Sequence, residues 1–314
     1  MIVSVSRRTD IPAFYSEWFF NRIKEGFVYV INPFNRKQIS KVELTPKTVD
    51  LFVFWTKDAE PMLKRLDELK EFNYYFQFTI TSYRNDIEKA IRRKSDIIKT
   101  FKKLSKIIGK EKVIWRYDPI LLNEFYTKEY HYKWFEKFCI ELSGYTEKCI
   151  ISFLDLYSKT KRNTKNLGLK EIDKNDMCDI AEKFAGIALK YNIKLETCSE
   201  EIDFSKFGIK KGKCIDDELI SRIIKCPIKV KKDDTQREVC GCVKSIDIGE
   251  YNTCKHNCLY CYANFNYDTV EKNYLMHDSK SSILALHLIG DEKITIRDMK
   301  SIKCEVNQLK FKEL

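Results

Sequence analysis

Six short apolar runs, each followed by polar sequence or by helical periodicity, restrict what this chain can fold into. They are residues 2–5, 49–55, 74–80, 112–115, 149–154 and 193–197. Each is short and rich in β-branched or aromatic residues, as strands are. Between them lie helical patterns. Residues 16–24 close at Gly26, and 58–72 open on Asp58 with Pro61 in the first turn and Leu63, Leu66 and Leu69 at helical spacing. Residues 86–108 run to Gly109, 128–142 to the neighbourhood of Gly144, and 174–191 stop before Asn192. Strands that alternate with crossover helices form a parallel sheet. The expected class is therefore α/β, in the form of a partial (β/α)6, TIM-like barrel. Residues 27–33 and 38–44 interrupt the alternation and read as a hairpin around Phe34-Asn35-Arg36-Lys37. A full eight-unit barrel needs further strands after residue 215, where the pattern gives a helix at 217–225 and weak strand signals. The expected division is a barrel domain over 1–228, with its hairpin insertion near 27–44, and a cysteine-rich extension over 229–314.

The 314 residues are 44% hydrophobic, enough for one large α/β domain or two ordinary ones. Lys and Arg total 57 against 46 Asp and Glu. Much of the excess lies in 89–112 and 206–232. In the first of these, Ile91, Ile97, Ile98, Phe101, Leu104, Ile107 and Ile108 supply an apolar face. Lysines opposite such a stripe make a solvated helix face, and they also suit an anionic partner such as a nucleotide, a cofactor or nucleic acid. Charge alone does not choose between these. No run approaches the ~18 apolar residues of a membrane span, and the first residues read as a strand rather than a signal peptide. A soluble, cytoplasmic protein without membrane contact is expected. In that compartment twelve cysteines point to metal or redox use rather than disulfides. Cys139, Cys149 and Cys178 sit in apolar stretches and read as core residues.

The densest cysteine pattern is Thr253-Cys254-Lys255-His256-Asn257-Cys258-Leu259-Tyr260-Cys261-Tyr262-Ala263-Asn264. Three thiolates spaced C-x3-C-x2-C can hold three corners of a [4Fe–4S] cubane and leave the fourth iron open to a ligand. A four-cysteine cluster is closed and mainly passes electrons. Two other assignments share these residues: a structural zinc site completed by His256 in a nucleic-acid-binding protein, and an electron-relay cluster. A second set, Cys198, Cys214, Cys240 and Cys242, would form a closed site for another [4Fe–4S] cluster or for zinc. The competing reading leaves Cys198 and Cys214 as ordinary buried thiols.

Polar residues gather where the candidate strands end, which in βα barrels is the active-site side. They include Arg7, Arg8, Asp10, Lys57, Asp118 and Glu196. Gln77, Arg116 and Glu196 lie inside or at the edge of apolar strands, where a charge or amide needs a partner. Arg116 and Glu196 are expected to share a polar cavity.

The cysteine spacing, with an aromatic directly before the third cysteine, resembles the signature of radical S-adenosylmethionine (SAM) enzymes. Tyr260 matches the aromatic beside their adenine pocket. The stretches Ser6-Arg7-Arg8-Thr9-Asp10-Ile11-Pro12-Ala13, Phe54-Trp55-Thr56-Lys57, Trp115-Arg116-Tyr117-Asp118-Pro119-Ile120 and Asp247-Ile248-Gly249-Glu250-Tyr251 resemble those of a bacterial domain-of-unknown-function family that ends in the same three cysteines. Tyr260-Cys261-Tyr262-Ala263 is also similar to the cluster loops of spore photoproduct lyase and its relatives. The resemblance implies cluster ligands Cys254, Cys258 and Cys261, and cofactor contacts from Tyr260, Tyr262 and Asn264. It implies reductive cleavage of SAM to a 5′-deoxyadenosyl radical, with electrons from a flavodoxin or ferredoxin. The substrate would be a small or nucleotide-like molecule, anionic if Arg7, Arg8, Lys57 and Arg116 clamp it. Asp10 and Gln77 would add substrate contacts, and Arg116, Asp118 and Glu196 would serve catalysis. Two features depart from the radical SAM pattern: the cysteine loop follows the sixth strand instead of the first, and no Gly-Gly-Glu segment is present. Either the cysteine loop reaches a SAM pocket by a permuted route, or the cluster binds something else.

Overall fold

The computed structural model describes residues 1–155, 158–285, 288 and 290–304. Its strands in chain order are β1 (Ile2–Val5), β2 (Phe27–Asn32), β3 (Asn35–Glu43), β4 (Leu51–Thr56), β5 (Tyr74–Thr79) and β6 (Val113–Ile120). They continue with β7 (Lys148–Phe153), β8 (Lys194–Thr197), β9 (Lys210–Lys211), β10 (Ile246–Asp247) and β11 (Lys293–Ile296). Eight of them form one sheet in the order β10-β1-β4-β5-β6-β7-β8-β9. Every pairing in it is parallel. All six expected strands are present as β1 and β4–β8. From β1 to β9, each strand of the main sheet is laid on the edge left by its predecessor. The exception is β10, which returns from far along the chain to pair with β1. Among the described residues β9 and β10 are the two edges.

The expected hairpin is present as antiparallel β2 and β3, and β11 adds to it in parallel with β3. The chain beyond residue 229 thus contributes one strand to each sheet. Helices Ser16–Glu25, Lys128–Leu142 and Lys174–Lys190 follow the periodicity closely. The first of them stops at Gly26, whose φ of 75° suits a residue without a Cβ.

Two expected helices are shorter. Residues 58–72 give only Glu60–Leu63 and a 3-10 turn at Leu66–Leu69, although Leu66 and Leu69 are still buried. The helix expected from residue 86 starts at Lys94. The backbone before it is engaged elsewhere: Leu259 N donates to Ile87 O and Ala90 N to His256 O. Arg92 is also drawn off, donating to both oxygens of Asp58 at 2.5 and 2.6 Å.

Alternation along the strands gives the sheet two unlike faces. On the outer face Val3, Phe52, Phe54, Phe76, Phe78, Trp115, Tyr117 and Ile151 pack against the helices. Trp115 stacks on Phe135 at 5.1 Å and Phe135 on Phe184 at 3.9 Å. Cys139 and Cys149 are buried in this core as expected, and Cys178 packs at its margin. The inner face is apolar only near the strand starts. There Ile2, Leu51, Val53, Tyr75, Ile114 and Ile150 meet Ile215, Leu219, Ile220, Val243 and Ile302. Burying such a side chain contributes about 1.5–3 kcal/mol, so these late segments are an integral cover. Toward the strand ends the same face turns polar, with Ser4 and Ser6, Lys57, Gln77, Arg116 and Asp118, Ser152, and Glu196 and Cys198. Among the described residues no helix is long and apolar enough to cross a membrane.

Candidate functional site

The cysteine loop is delivered by β10. Because this strand lies parallel to β1, the chain leaving it emerges at the same end of the sheet as Ser6-Arg7-Arg8. Asp247 fastens the two together. It accepts from Ser4 Oγ at 2.9 Å, Ser6 Oγ at 2.5 Å, Arg7 N at 2.8 Å and Gly249 N at 3.0 Å. Gly249 passes so close that a Cβ on it would lie 2.2 Å from Ser6 Oγ, so no larger residue fits without displacement.

From there the loop is pinned along its length. Tyr15 donates to Thr253 O at 2.7 Å, Asn264 Nδ2 to Cys254 O at 2.8 Å, and Tyr262 to Arg7 O at 2.8 Å. His256 Nε2 bonds Asp10 Oδ2 at 2.7 Å, and its ring packs edge-on against Phe14. Asp10 also accepts from Lys57 N at 2.6 Å, joining the ends of β1 and β4 under the loop. Asn257, inside the motif, takes a positive φ of 52°, which asparagine tolerates better than most residues. Cys254, Cys258 and Cys261 are unbridged. Burial, then Asp10, Cys261 and Cys258, hold the Cys254 thiol well above its ordinary pKa. Burial pushes Cys258 up to about 12, opposed by nearby Lys57 and reinforced by Glu88 and Cys261. The three thiols therefore lie within electrostatic reach of one another.

Glu88 is the site residue that sequence reasoning missed, because it fell inside an expected surface helix. It is 1% exposed. It pairs with Lys57 Nζ at 2.8 Å and Lys94 Nζ at 2.5 Å, and accepts from Thr81 Oγ1 at 2.6 Å and from the Tyr260 hydroxyl. Burial opposes its ionisation, but Lys57 and Lys94 outweigh that and hold its pKa well below the usual carboxylate range. Lys57 lies 5.5 Å from the centre of the Tyr260 ring. Tyr260, expected beside a nucleobase, is an anchor here, packed with Tyr83, Ile87, Leu121 and Tyr126.

Arg116 projects from β6 onto the inner face. It pairs with Asp118, approaches Gln77 Oε1 at 3.4 Å, and donates from Nη1 to Cys214 Sγ at 2.7 Å. Burial disfavours its charge, yet Cys214 and Asp118 more than compensate and raise its pKa. Asp118 also accepts from the Ser152 hydroxyl. Gln77 Nε2 donates to Cys214 O at 2.8 Å. The second cysteine set comes together at this place. Cys198 Sγ lies 3.2 Å from Cys214 Sγ, and Cys242 engages both Cys214 and Cys240.

Arg116 and Glu196 both face the inner side of the sheet, each with partners of its own. The two residues occupy one layer of the sheet through Ile150, but Glu196 pairs with Lys148 at 2.9 Å, which also pairs with Asp216. Lys148, Glu196 and Asp216 line a cavity of about 1070 Å³ beside helix Lys174–Lys190. Lys148 is nearer than Arg116 to meeting Glu196's charge, and it decides where that carboxylate points. The remaining cations also have partners: Arg7 pairs with Asp233 at 3.6 Å and Arg8 donates to Gly249 O at 3.3 Å. Among the described residues, no group of three or more His, Cys, Asp or Glu side chains already stands in a geometry that would hold a metal ion.

These features define an α/β protein with a large parallel sheet, a three-cysteine loop over the ends of its strands, and an inner face lined by paired charges. The chain belongs to the family described as a domain of unknown function (DUF1848), whose profile matches residues 2–263. The match runs from β1 through the last cysteine of the loop, and so takes in both cysteine sets. No curated protein matches the chain.

Proposed function

We propose that the protein is an iron–sulfur enzyme of the radical SAM type, with the sheet serving as a partial TIM-like barrel. One observation carries this reading. The three-cysteine loop leaves the C-terminal end of β10, the strand that precedes β1 in the sheet order. The loop therefore follows the strand at one edge of the sheet, although it comes late in the sequence, which is the permuted arrangement the resemblance requires. The resemblance of the loop to that of spore photoproduct lyase supports the same reading.

The residues present suit such a group. Three unbridged thiols share one loop, His256 Nδ1 and Asn264 Oδ1 are buried without a partner, and a lysine stands beside Cys258. Cys254, Cys258 and Cys261 would hold a [4Fe–4S] cluster with one iron free of protein ligands. When bound, such a cluster supplies chelation of SAM and its one-electron cleavage to a 5′-deoxyadenosyl radical. Lys57 offsets part of the negative charge gathered around Cys258, while Glu88 fixes Lys57 and Tyr260. The packing around Tyr260 keeps water from that side of the loop. Arg116, Asp118, Gln77 and Ser152 face the interior of the sheet and would orient a small or nucleotide-like anionic substrate. A flavodoxin or ferredoxin would supply the electron, and the reducing cytoplasm suits thiolate ligation.

The test is anaerobic purification followed by iron and sulfide analysis and incubation with dithionite and SAM. About four irons per chain and formation of 5′-deoxyadenosine are expected, and replacing Cys254, Cys258 and Cys261 with Ala should abolish both. A triple variant that keeps its iron and still forms 5′-deoxyadenosine would overturn the assignment, as would a wild-type protein that takes up no iron.

A further inference from the structure

The second cysteine set takes no part in the loop just described, and it is assembled from three separate stretches of chain. Cys198 follows β8, Cys214 precedes helix Asp217–Ile224, and Cys240 and Cys242 flank Gly241. Their sulfurs form a ring of neighbours. Cys198 and Cys214 are 3.2 Å apart, and Cys242 and Cys240 lie close to Cys214 and to each other. Cys214, Cys240 and Cys242 are 4%, 7% and 3% exposed.

We propose that Cys198, Cys214, Cys240 and Cys242 form a structural site for a single tetrahedral ion of the zinc class. The spacing selects the ion. Zinc–thiolate bonds of about 2.3 Å place tetrahedral sulfurs about 3.8 Å from one another, whereas a cubane carries its thiolates on separate irons, farther apart. The Cys198–Cys214 sulfur–sulfur distance, 3.2 Å, is on the zinc side of that divide.

The donors around the sulfurs point the same way. A neutral thiol is a weak acceptor, yet two of these sulfurs already receive N–H groups. Arg116 donates to Cys214 at 2.7 Å, and Ile215 N donates to Cys242 at 3.4 Å. Hydrogen bonds of this kind orient and stabilise metal-bound thiolates. Four thiolates around a divalent ion leave a net charge of about −2, and two guanidinium groups face it. Arg116 is close to Cys214 and Cys198, and Arg7 to Cys242 and Cys214. Both arginines also face carboxylates: Asp118 for Arg116, and Asp233 and Asp247 for Arg7. Gly241 lets this stretch pass Lys213, whose Cγ would lie 3.1 Å from any Cβ there. Filling the ring would clamp the late segments onto the inner face of the sheet.

The experiment is elemental analysis of the full-length protein, with mass-spectrometric mapping of alkylated cysteines before and after a chelator. About one zinc per chain is expected, with Cys198, Cys214, Cys240 and Cys242 protected until the metal is stripped. Cobalt exchanged into the site should show the intense ligand-field bands of a tetrahedral tetrathiolate. The double variant Cys240→Ser, Cys242→Ser should lose zinc and keep the iron of the other loop, and the Cys254, Cys258, Cys261→Ala variant should do the reverse. The proposal falls if the native wild-type protein holds no zinc and alkylates freely at these four thiols. It falls equally if the iron content of the wild type is double that of the loop and the excess leaves with Cys240 and Cys242. The wild-type measurements stand even where the double variant does not fold, and zinc and iron report separately on the two sites.

Discussion

The two faces of the sheet are built by different means. The outer face is closed by helices that follow their own strands within a few tens of residues, and it is apolar along most of the strands, with Thr56 and Thr197 at the ends of β4 and β8. The inner face is closed by segments from beyond residue 198, and it changes from apolar to polar within two residues along β5 and β6: Tyr75 gives way to Gln77 and Ile114 to Arg116. One face supplies cohesion. The other combines cohesion at its floor with buried charges and thiols at its rim, where Lys57, Glu196 and Cys214 depend on partners far away in sequence. A defect on the outer face should therefore cost stability alone, while a defect at the inner rim should also change chemical reactivity.

The sharpest test of that difference starts with the outer face. Trp115→Ala removes a fully buried ring stacked on Phe135 and should cost about 4–5 kcal/mol in urea unfolding. In the folded protein the alkylation rates of Cys258 and Cys242 should stay as in wild type. At the rim, Glu88→Gln leaves Lys57 and Lys94 without their buried counter-charge and should cost about 3–4 kcal/mol. Here the loop should loosen as well, and Cys258 in metal-free protein should alkylate several-fold faster while Cys242 does not. Equal thiol reactivity in both variants would erase the distinction.

A smaller and opposite pair of effects comes from pH. Buried His131, held between the Tyr117 hydroxyl and Leu121 O under the outer face, has its pKa lowered to about 4 by burial. The unfolded chain binds that proton more readily, so the contribution is present above pH ~6.5 and is lost as pH falls toward 4. At about 1.4 kcal/mol per unit it amounts to up to about 3 kcal/mol. Glu200, near the inner rim, is raised to about 7 by burial. Its neutral form is favoured in the fold, so its contribution is present at low pH and is lost as pH rises from ~4.5 through 7. Unfolding midpoints measured from pH 4 to 8 should lose the acid-side slope in His131→Gln and the neutral-side slope in Glu200→Gln. A slope that moves the wrong way in either variant would contradict the burial that sets it.

The outer face was largely legible in the sequence because strand and helix periods are local. Leu63, Leu66 and Leu69 announced an inward-facing segment even though the helix there breaks into two short pieces. The inner face was legible only in part. The C-x3-C-x2-C motif is compact enough to read directly, whereas Cys198, Cys214, Cys240 and Cys242 could be grouped only by their place in the later part of the chain. Glu88 could not be found, since a carboxylate among lysines looks like a solvated helix surface until the cysteine loop is seen to displace that helix. Lys148, the partner of Glu196, could not be read for a related reason: it is at the start of an apolar run, and nothing local shows that it turns inward. Two-residue β10 has almost no strand signal of its own. Its place comes from Asp247 and its bonds to Ser4, Ser6 and Arg7.

That late pairing bears on how the chain is made. Strands β4 to β9 can join the sheet in the order they leave the ribosome, each on the edge just exposed. The other edge of β1 gains its neighbour only when β10 has been synthesised. At translation rates of about 5–20 residues per second, the nascent sheet carries an open apolar edge on the order of tens of seconds. An open edge of that kind invites pairing with other chains. Ile2–Val5 is the first strand to leave the exit tunnel, so its cover during that interval has to come from a chaperone or from the nascent chain itself, and that cover belongs to the folding pathway of this protein as much as its own residues do.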